Sequence, residues 1–424
     1  MCHIVFWVCA AAQIFYIGRR KRLMHLVQKY GGRYLKNNED LTKIADHIAA
    51  HREELKGLVL VTAAMHEIAG EMLARAEQFK DGIGKPELDA LFSASEYQTA
   101  ALMASALEQR GVPARVIDYI QGQSLTPLEV ESGKHELILT EINKALEKNI
   151  IPVVAGFQGI GEYEMSDKFG RYGAAATAVA IAGALGCECE LYGNTKRVYV
   201  MDPRVSEDRK KFDQISYEEA MELTMLGDGD LEAAAIELAS MLDVRLYVGP
   251  ALKEDHTGGT YIVSRDTIVV EEAAVSGIST FDDVVIYTIK GIPNQGEEIA
   301  ELFELLGDLK VNLNVISQQP YQEGTSVVSF SCEKDDIERI DNALAINARF
   351  KDLETEKKDD ICMISLVGVG MATHVGVAGK TFATLAEAGI PHYNITTSEI
   401  SISATIDAAN KAGAIVALAE AFRL

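Results

Sequence analysis

Positive charge is scarce in this chain of 424 residues: 40 Lys and Arg stand against 63 Asp and Glu, a formal net charge of −23. A nucleic-acid partner or an anionic membrane surface needs a basic face, so the balance argues against both. A nucleotide pocket is not excluded, because a few local cations suffice there. Cysteine is also sparse, with six residues at Cys2, Cys9, Cys187, Cys189, Cys332 and Cys362 and no C-x-x-C pair. Cys187 and Cys189 would point to opposite faces of a strand, so no metal site or disulfide framework is expected. Reduced thiols in a cytoplasmic protein are the simpler reading. No apolar run reaches the roughly 20 residues of a membrane span. The nearest, Ile4 to Ile17, is followed by Arg19-Arg20-Lys21-Arg22, whereas a signal peptide carries its charges first. Residues 1–23 are read as a disordered or spurious extension before a start at Met24, with a short reverse-oriented anchor as the alternative. The most telling absence lies in residues 170–180, Gly-Arg-Tyr-Gly-Ala-Ala-Ala-Thr-Ala-Val-Ala. A glycine-bearing turn that opens a helix gathers anions such as phosphate. Yet the residues that follow the glycine, Ala174, Ala175 and Ala176, cannot position a metal, a phosphate or a substrate amine.

What is present is regular. Leu26–Tyr30 reads as a strand ending at Gly31-Gly32, residues 38–56 carry helical periodicity, and Leu58–Thr62 is a continuous apolar strand. Further units follow: a helix over 97–110, a strand at 114–118, a helix over 137–148 and a strand at Ile151–Ala155. Then come a helix from Ala174 to Leu185, a strand at Glu188–Tyr192, and helices over 216–225 and 231–242. Alternating strands and helices imply a parallel α/β sheet. Periodicity lapses near His256-Thr257-Gly258-Gly259, and 256–278 reads as a linker. Beyond it, strand–helix–strand–strand–helix–strand recurs twice at about 75-residue spacing, which argues for paired small ligand-sensing modules over 279–352 and 360–424. Each copy has a glycine turn before its first helix, Gly291–Gly296 and Gly368-Val369-Gly370-Met371.

With these landmarks, residues 26–424 resemble the aspartate kinases. The resemblance rests on the runs from Ile151 to Gly159, Val198 to Arg204 and Ile215 to Ala220, and on Val367–Met371 and Thr397-Ser398-Glu399-Ile400. It implies an amino-acid-kinase domain over 24–255, a three-layer α/β fold with a parallel sheet, followed by two α+β ACT domains of ferredoxin-like topology. It also implies Mg-ATP phosphorylation of the L-aspartate side chain, with feedback by lysine or threonine. ACT pairing implies a homodimer, or a heterodimer with an active relative.

Position by position, the match is uneven. The family's Lys-Phe-Gly-Gly-Thr-Ser is Lys29-Tyr30-Gly31-Gly32-Arg33-Tyr34, so a catalytic lysine and two cradle glycines remain while both hydroxyls are lost. Lys29 reads equally as a solvated strand-end lysine. Ser-Ala-Met has become Ala63-Ala64-Met65, and the Ser-Asp-Thr triplet of the phosphate turn, which supplies a hydroxyl and a carboxylate, has become Ala174-Ala175-Ala176. Glu96 matches the glutamate that holds the substrate amine, and Arg171 the arginine that pairs with its carboxylate; a leftover ion pair is the plainer reading of the two. Gly173, Tyr199, Pro203 and Arg204 fall at nucleotide-side positions, although Asp202-Pro203-Arg204 also suits a simple turn. The acidic nucleotide loop is replaced by Gly193-Asn194-Thr195-Lys196-Arg197. The lysine and arginine of Gly-Ala-Lys-Val-Leu-x-Pro-Arg are gone from Gly227–Ala234, where Asp228 and Asp230 add negative charge. ATP and magnesium are thus cofactors only if activity persists. In the ACT pair, Asn312, Asn314, Gln318, Thr397, Ser398 and Glu399 are candidate effector contacts, or else residues that cap elements. The expectation is a family member with its catalytic residues largely substituted. The alternative is a carboxylate kinase in which Arg33, Lys196 or Arg197 restores the lost charge. A third reading is a binding protein that uses the vacated cleft for something other than ATP.

Overall fold

The computed structural model describes residues 25–79, 85–117, 136–156, 173–194, 198–202, 205, 210–225, 232–252, 258–268, 274–294 and 296–424. In chain order the first elements are β1 (Leu26–Tyr30), α1 (Asn38–Ala50), β2 (Leu58–Thr62), α2 (His66–Ala76), α3 (Lys85–Glu108), β3 (Ala114–Val116) and α4 (Glu136–Glu147). They are followed by β4 (Ile151–Ala155), α5 (Gly173–Leu185), β5 (Glu188–Tyr192), β6 (Gln214–Ser216), α6 (Tyr217–Met225), α7 (Ala233–Leu242), β7 (Leu246–Val248) and β8 (Thr260–Val263). The last are β9 (Gly277–Pro293), α8 (Glu297–Asp308), β10 (Val315–Pro320), β11 (Thr325–Cys332), α9 (Ile337–Ile346), β12 (Glu354–Val367), α10 (Val377–Glu387), β13 (His392–Thr397), β14 (Ser401–Asp407) and α11 (Lys411–Phe422).

These elements form two compact units, one of residues up to Lys196 together with Leu238–Gly258, the other of Arg197–Glu237 and Gly259–Leu424. In the first, parallel strands lie in the order β3-β4-β2-β1-β5-β7. Every residue of β2 and β4 is buried, as a strand covered on both faces requires. Helix α1 is set by local chemistry. Asn37 caps it by accepting from the Asp40 N–H, Glu39 and Asp40 complement its dipole, and Leu41, Ile44, Ala45 and Ile48 form the buried stripe. Helix α5 is apolar almost all round and lies in the core.

The second unit carries the parallel pair β6–β8 and an antiparallel six-stranded sheet in the order β10-β11-β9-β12-β14-β13. Strands β9 and β12 are each shared by two modules. The later part of β9 (284–290) pairs with the earlier part of β12 (354–361), and its start (277–281) pairs with the end of β12 (363–367). The first βαββαβ module therefore interrupts the second, which takes back residues 277–281 as one of its strands. The stretch 256–278, featureless in periodicity, contains β8 and the beginning of β9. Tyr287 stacks on Phe330 in the first module's core, with ring centroids 5.3 Å apart, beside Leu302, Ile340 and Phe350. The second module's core gathers Ile364, Leu366, Leu385 and Leu418, and includes Val200 and Met201 from before α6. Each fully buried side chain of this size contributes about 1.5–3 kcal/mol.

Cys187, Cys189, Cys332 and Cys362 form no disulfide. Burial pushes the thiols of Cys187 and Cys332 up to about 12 and that of Cys362 up to about 11. The thiolate is the reactive species, so near neutral pH no more than about one thiol in a thousand is poised to react. Iodoacetamide is expected to leave Cys332 and Cys362, which are buried, unlabelled in the native protein and to label them after denaturation. Rapid native labelling, read by peptide mass spectrometry, would contradict the burial.

Candidate functional site

The candidate site is built on the C-terminal ends of β1, β2, β4 and β5, all in the first unit. The ends are stitched by backbone bonds: Gly31 N to Tyr192 O, Ala63 N to Tyr30 O and Gly156 N to Thr62 O, each 2.9 Å. Lys29 is buried, and a Cβ on Gly31 would lie 3.3 Å from its Nζ and 3.1 Å from the Ala63 Cβ. Gly32 has φ +52°, and a Cβ there would stand 2.4 Å from the Asn194 Oδ1. That oxygen accepts the Arg33 N–H at 3.1 Å. Only glycine meets both demands at position 32. The structure thus brings Lys29, Gly31 and Gly32 together with Ala63 and Asn194. Asn194 had no assigned role in the sequence; the Gly193-Asn194 turn dipeptide was its only signal.

Beneath the turn lies a polar layer. The Glu190 carboxylate accepts from Gln28 Nε2 and from the Tyr192 hydroxyl, both at 2.7 Å, and the Tyr30 hydroxyl donates to Gln28 Oε1 at 3.1 Å. Burial, reinforced by the Glu190 charge, holds both phenols well above their ordinary range. They are neutral donors that pin the strand ends.

Gly173 opens α5, one residue before the start that the sequence suggests. The first turn has no acidic residue, and Ala174 packs so tightly that a Cβ on Gly156 would be 2.3 Å from its own Cβ. Ala174 and Ala175 are buried, and the Thr177 hydroxyl, a turn further along the helix, donates to the Gly156 carbonyl. Among the described residues of this turn there is thus no carboxylate, the kind of oxygen ligand that magnesium takes. No group of three or more His, Cys, Asp or Glu that could hold a metal occurs among the described residues. Glu96 is half-buried on α3. Its helix is tied to the end of β2, where Thr99 Oγ1 accepts the Met65 N–H at 2.8 Å. Arg171, Pro203 and Arg204 lie outside the described residues.

In the second unit, Tyr199 forms an isolated bridge with Lys211, and the Asp202 carboxylate lies 3.8 Å from Lys411 Nζ on α11. Gln318 lies on the edge strand β10 and gathers a polar cluster. Its Nε2 donates to Asn294 Oδ1 at 3.1 Å and to Ser326 Oγ at 3.2 Å, while Ser326 Oγ donates to Asn294 Oδ1 at 3.1 Å. Asn312 and Asn314 precede that strand and are exposed. Thr397, Ser398 and Glu399 lie where β13 turns into β14. Ser398 Oγ accepts from the Ile400 and Ser401 N–H groups, so it shapes the hairpin. Ser326 was missed because nothing in its spacing distinguishes it from other strand serines.

A parallel-sheet unit with glycines at its strand ends, followed by paired antiparallel modules, defines a class. Residues 24–249 match the model of the amino acid kinase family and residues 364–422 match an ACT domain. The chain is 32% identical to an aspartokinase of Bacillus sp. strain MGA3 over 404 residues, 94% of this chain and 97% of that one. It is 33% identical to an aspartokinase of Helicobacter pylori J99, covering 91% of this chain and 95% of the relative. The chain belongs to the aspartate kinase family. Among solved structures, aspartokinase III of E. coli, in complex with aspartate and ADP, shares the fold at TM-score 0.69 and 17% identity, covering 94% of this chain and all of that one. The Clostridium acetobutylicum aspartate kinase does so at TM-score 0.70 and 16% identity, with 95% and 100% covered. No described helix is long and apolar enough to cross a membrane.

Proposed function

We propose that this protein is a non-catalytic member of the aspartate kinase family, a cytoplasmic regulator that binds a small amino acid. It would act in the aspartate-derived amino-acid pathway, as a homodimer or as a heterodimer with an active kinase. The start of α5 carries this reading: three alanines, two of them buried, occupy the positions where the family needs a hydroxyl and a carboxylate. Removing one preorganised group at a developing charge costs on the order of 3 kcal/mol. Losses of this kind are not additive, but even three independent ones amount to roughly 10⁶-fold in rate. Phosphoryl transfer relies on positioning and charge neutralisation, so the fold offers no substitute.

Amino-acid binding falls to the first ACT-type module. The bonds around Gln318 engage its amide nitrogen and the Asn294 carbonyl. A donor on Asn294 and an acceptor on Gln318 are left as complementary ends for a zwitterion's carboxylate and ammonium. The E. coli relative of the same fold was also solved with lysine and aspartate, which makes lysine the first effector to try and threonine the second. Arg33, half-buried at the Gly32 turn, favours the second reading, an active kinase with a rearranged site.

Calorimetry separates the two. Mg-ATP is expected to give no binding heat up to millimolar concentration, while lysine or threonine binds and Gln318→Ala weakens that binding about tenfold, the worth of one or two hydrogen bonds. Micromolar Mg-ATP binding would favour the kinase reading instead.

A further inference from the structure

Glu219 does more than its place in α6 requires. Ser216 precedes the helix, and the two residues form a reciprocal cap. The Glu219 N–H donates to Ser216 Oγ at 3.2 Å, while Glu219 Oε2 accepts from the Ser216 hydroxyl at 2.9 Å and from its N–H at 3.4 Å. Capping occupies one carboxylate oxygen. The other, Oε1, accepts from the Ser276 hydroxyl and from the Val369 N–H, the latter at 3.0 Å and 150 residues away in sequence. Glu219 is 4% exposed, so its charge is met by these four donors rather than by water. Val369 starts the 3-10 turn that follows Gly368 and leads towards α10. Backbone N–H groups in such turns form concavities that hold anions.

We infer that the glycine turn of the second module is an anion site whose anion is built into the chain, the Glu219 carboxylate. The turn is closed to carboxylates from solution and clamped to the first turn of α6. The geometry lies wholly in the second unit and holds whether or not the kinase-type cleft turns over. It also gives Glu219, part of the Ile215–Ala220 run, a task the sequence did not reveal.

Amide hydrogen exchange of the full-length chain tests the inference. In Glu219→Ala, exchange at the Val369 N–H is expected to quicken at least about tenfold. Acetate, a free carboxylate of matching shape, is expected to slow it again, while an equal concentration of chloride is not. Unchanged exchange in the variant, or acetate acting no better than chloride, overturns the inference. Glu219→Gln keeps the side-chain shape with a single acceptor oxygen, and it decides the matter if the alanine variant does not fold. Faster exchange at Val369 or at Ser216 supports the carboxylate clamp, and unchanged exchange at both removes it.

Discussion

Incubated with Mg-ATP, L-aspartate and hydroxylamine, the protein is expected to form no aspartyl hydroxamate above a heat-denatured control. On the non-catalytic reading proposed above, Lys29 beside Gly31 and Gly32 is not enough to neutralise a triphosphate and align it for attack. Packing at the start of α5 also limits what a substitution there could restore. Ala175 is 1% exposed, so a carboxylate restored there by Ala175→Asp would be buried without solvent, and it would destabilise the fold before it could hold a metal. The back-substitution Ala174→Ser, Ala175→Asp, Ala176→Thr is therefore expected to lower stability without restoring turnover, because Arg33 and Tyr34 still fill the positions of the other lost hydroxyls. Hydroxamate at a rate within about a hundredfold of ordinary enzyme turnover, a kcat of roughly 10 per second, would show that Arg33 or a neighbouring cation completes a working site.

Gly368→Ala should cost the second unit about 2–4 kcal/mol. An added Cβ would sit 2.5 Å from the Ala274 carbonyl oxygen, 2.8 Å from the Val275 Cα and 2.9 Å from the Ser276 nitrogen. All three are backbone atoms, so no side chain can swing aside. The strands there are fixed by Ser276 N to Val367 O and Gly368 N to Ile400 O, both 2.8 Å, and shifting either breaks the ladder. The measurement is the urea dependence of exchange at amides of β9 and β12, which follows this unit separately from the first. A variant within about 0.5 kcal/mol of the parent would mean that the backbone approach is looser than these distances.

Legibility varied with the kind of signal. Strand β5 matches its expected bounds and α5 begins one residue earlier, because an apolar strand and an alanine-rich helix each declare themselves over a short window. Helix α1 stops at Ala50, well short of the expected 56, and α2 was not anticipated at all. Its sequence, His66-Glu67-Ile68-Ala69-Gly70, shows weak periodicity and buries only Ala76. Strands β9 and β12 run far beyond the apolar stretches that announced them. The outer residues of β12, such as Glu354 and Glu356, are charged and held by cross-strand ion pairs to Lys290 rather than by burial.

The sequence by itself determined most of the alternation of strands and helices, the family, the glycines of the cradle and the alanines at 174–176, because each is a property of neighbouring residues. Tertiary structure alone decided that Asn194 supports Gly32, that Ser326 joins Gln318, that residues 277–281 belong to the second module, and that Glu219 reaches Val369. These pairings join residues far apart in the chain, and hydrogen bonding between distant backbone and side-chain groups leaves no periodic trace in a single sequence.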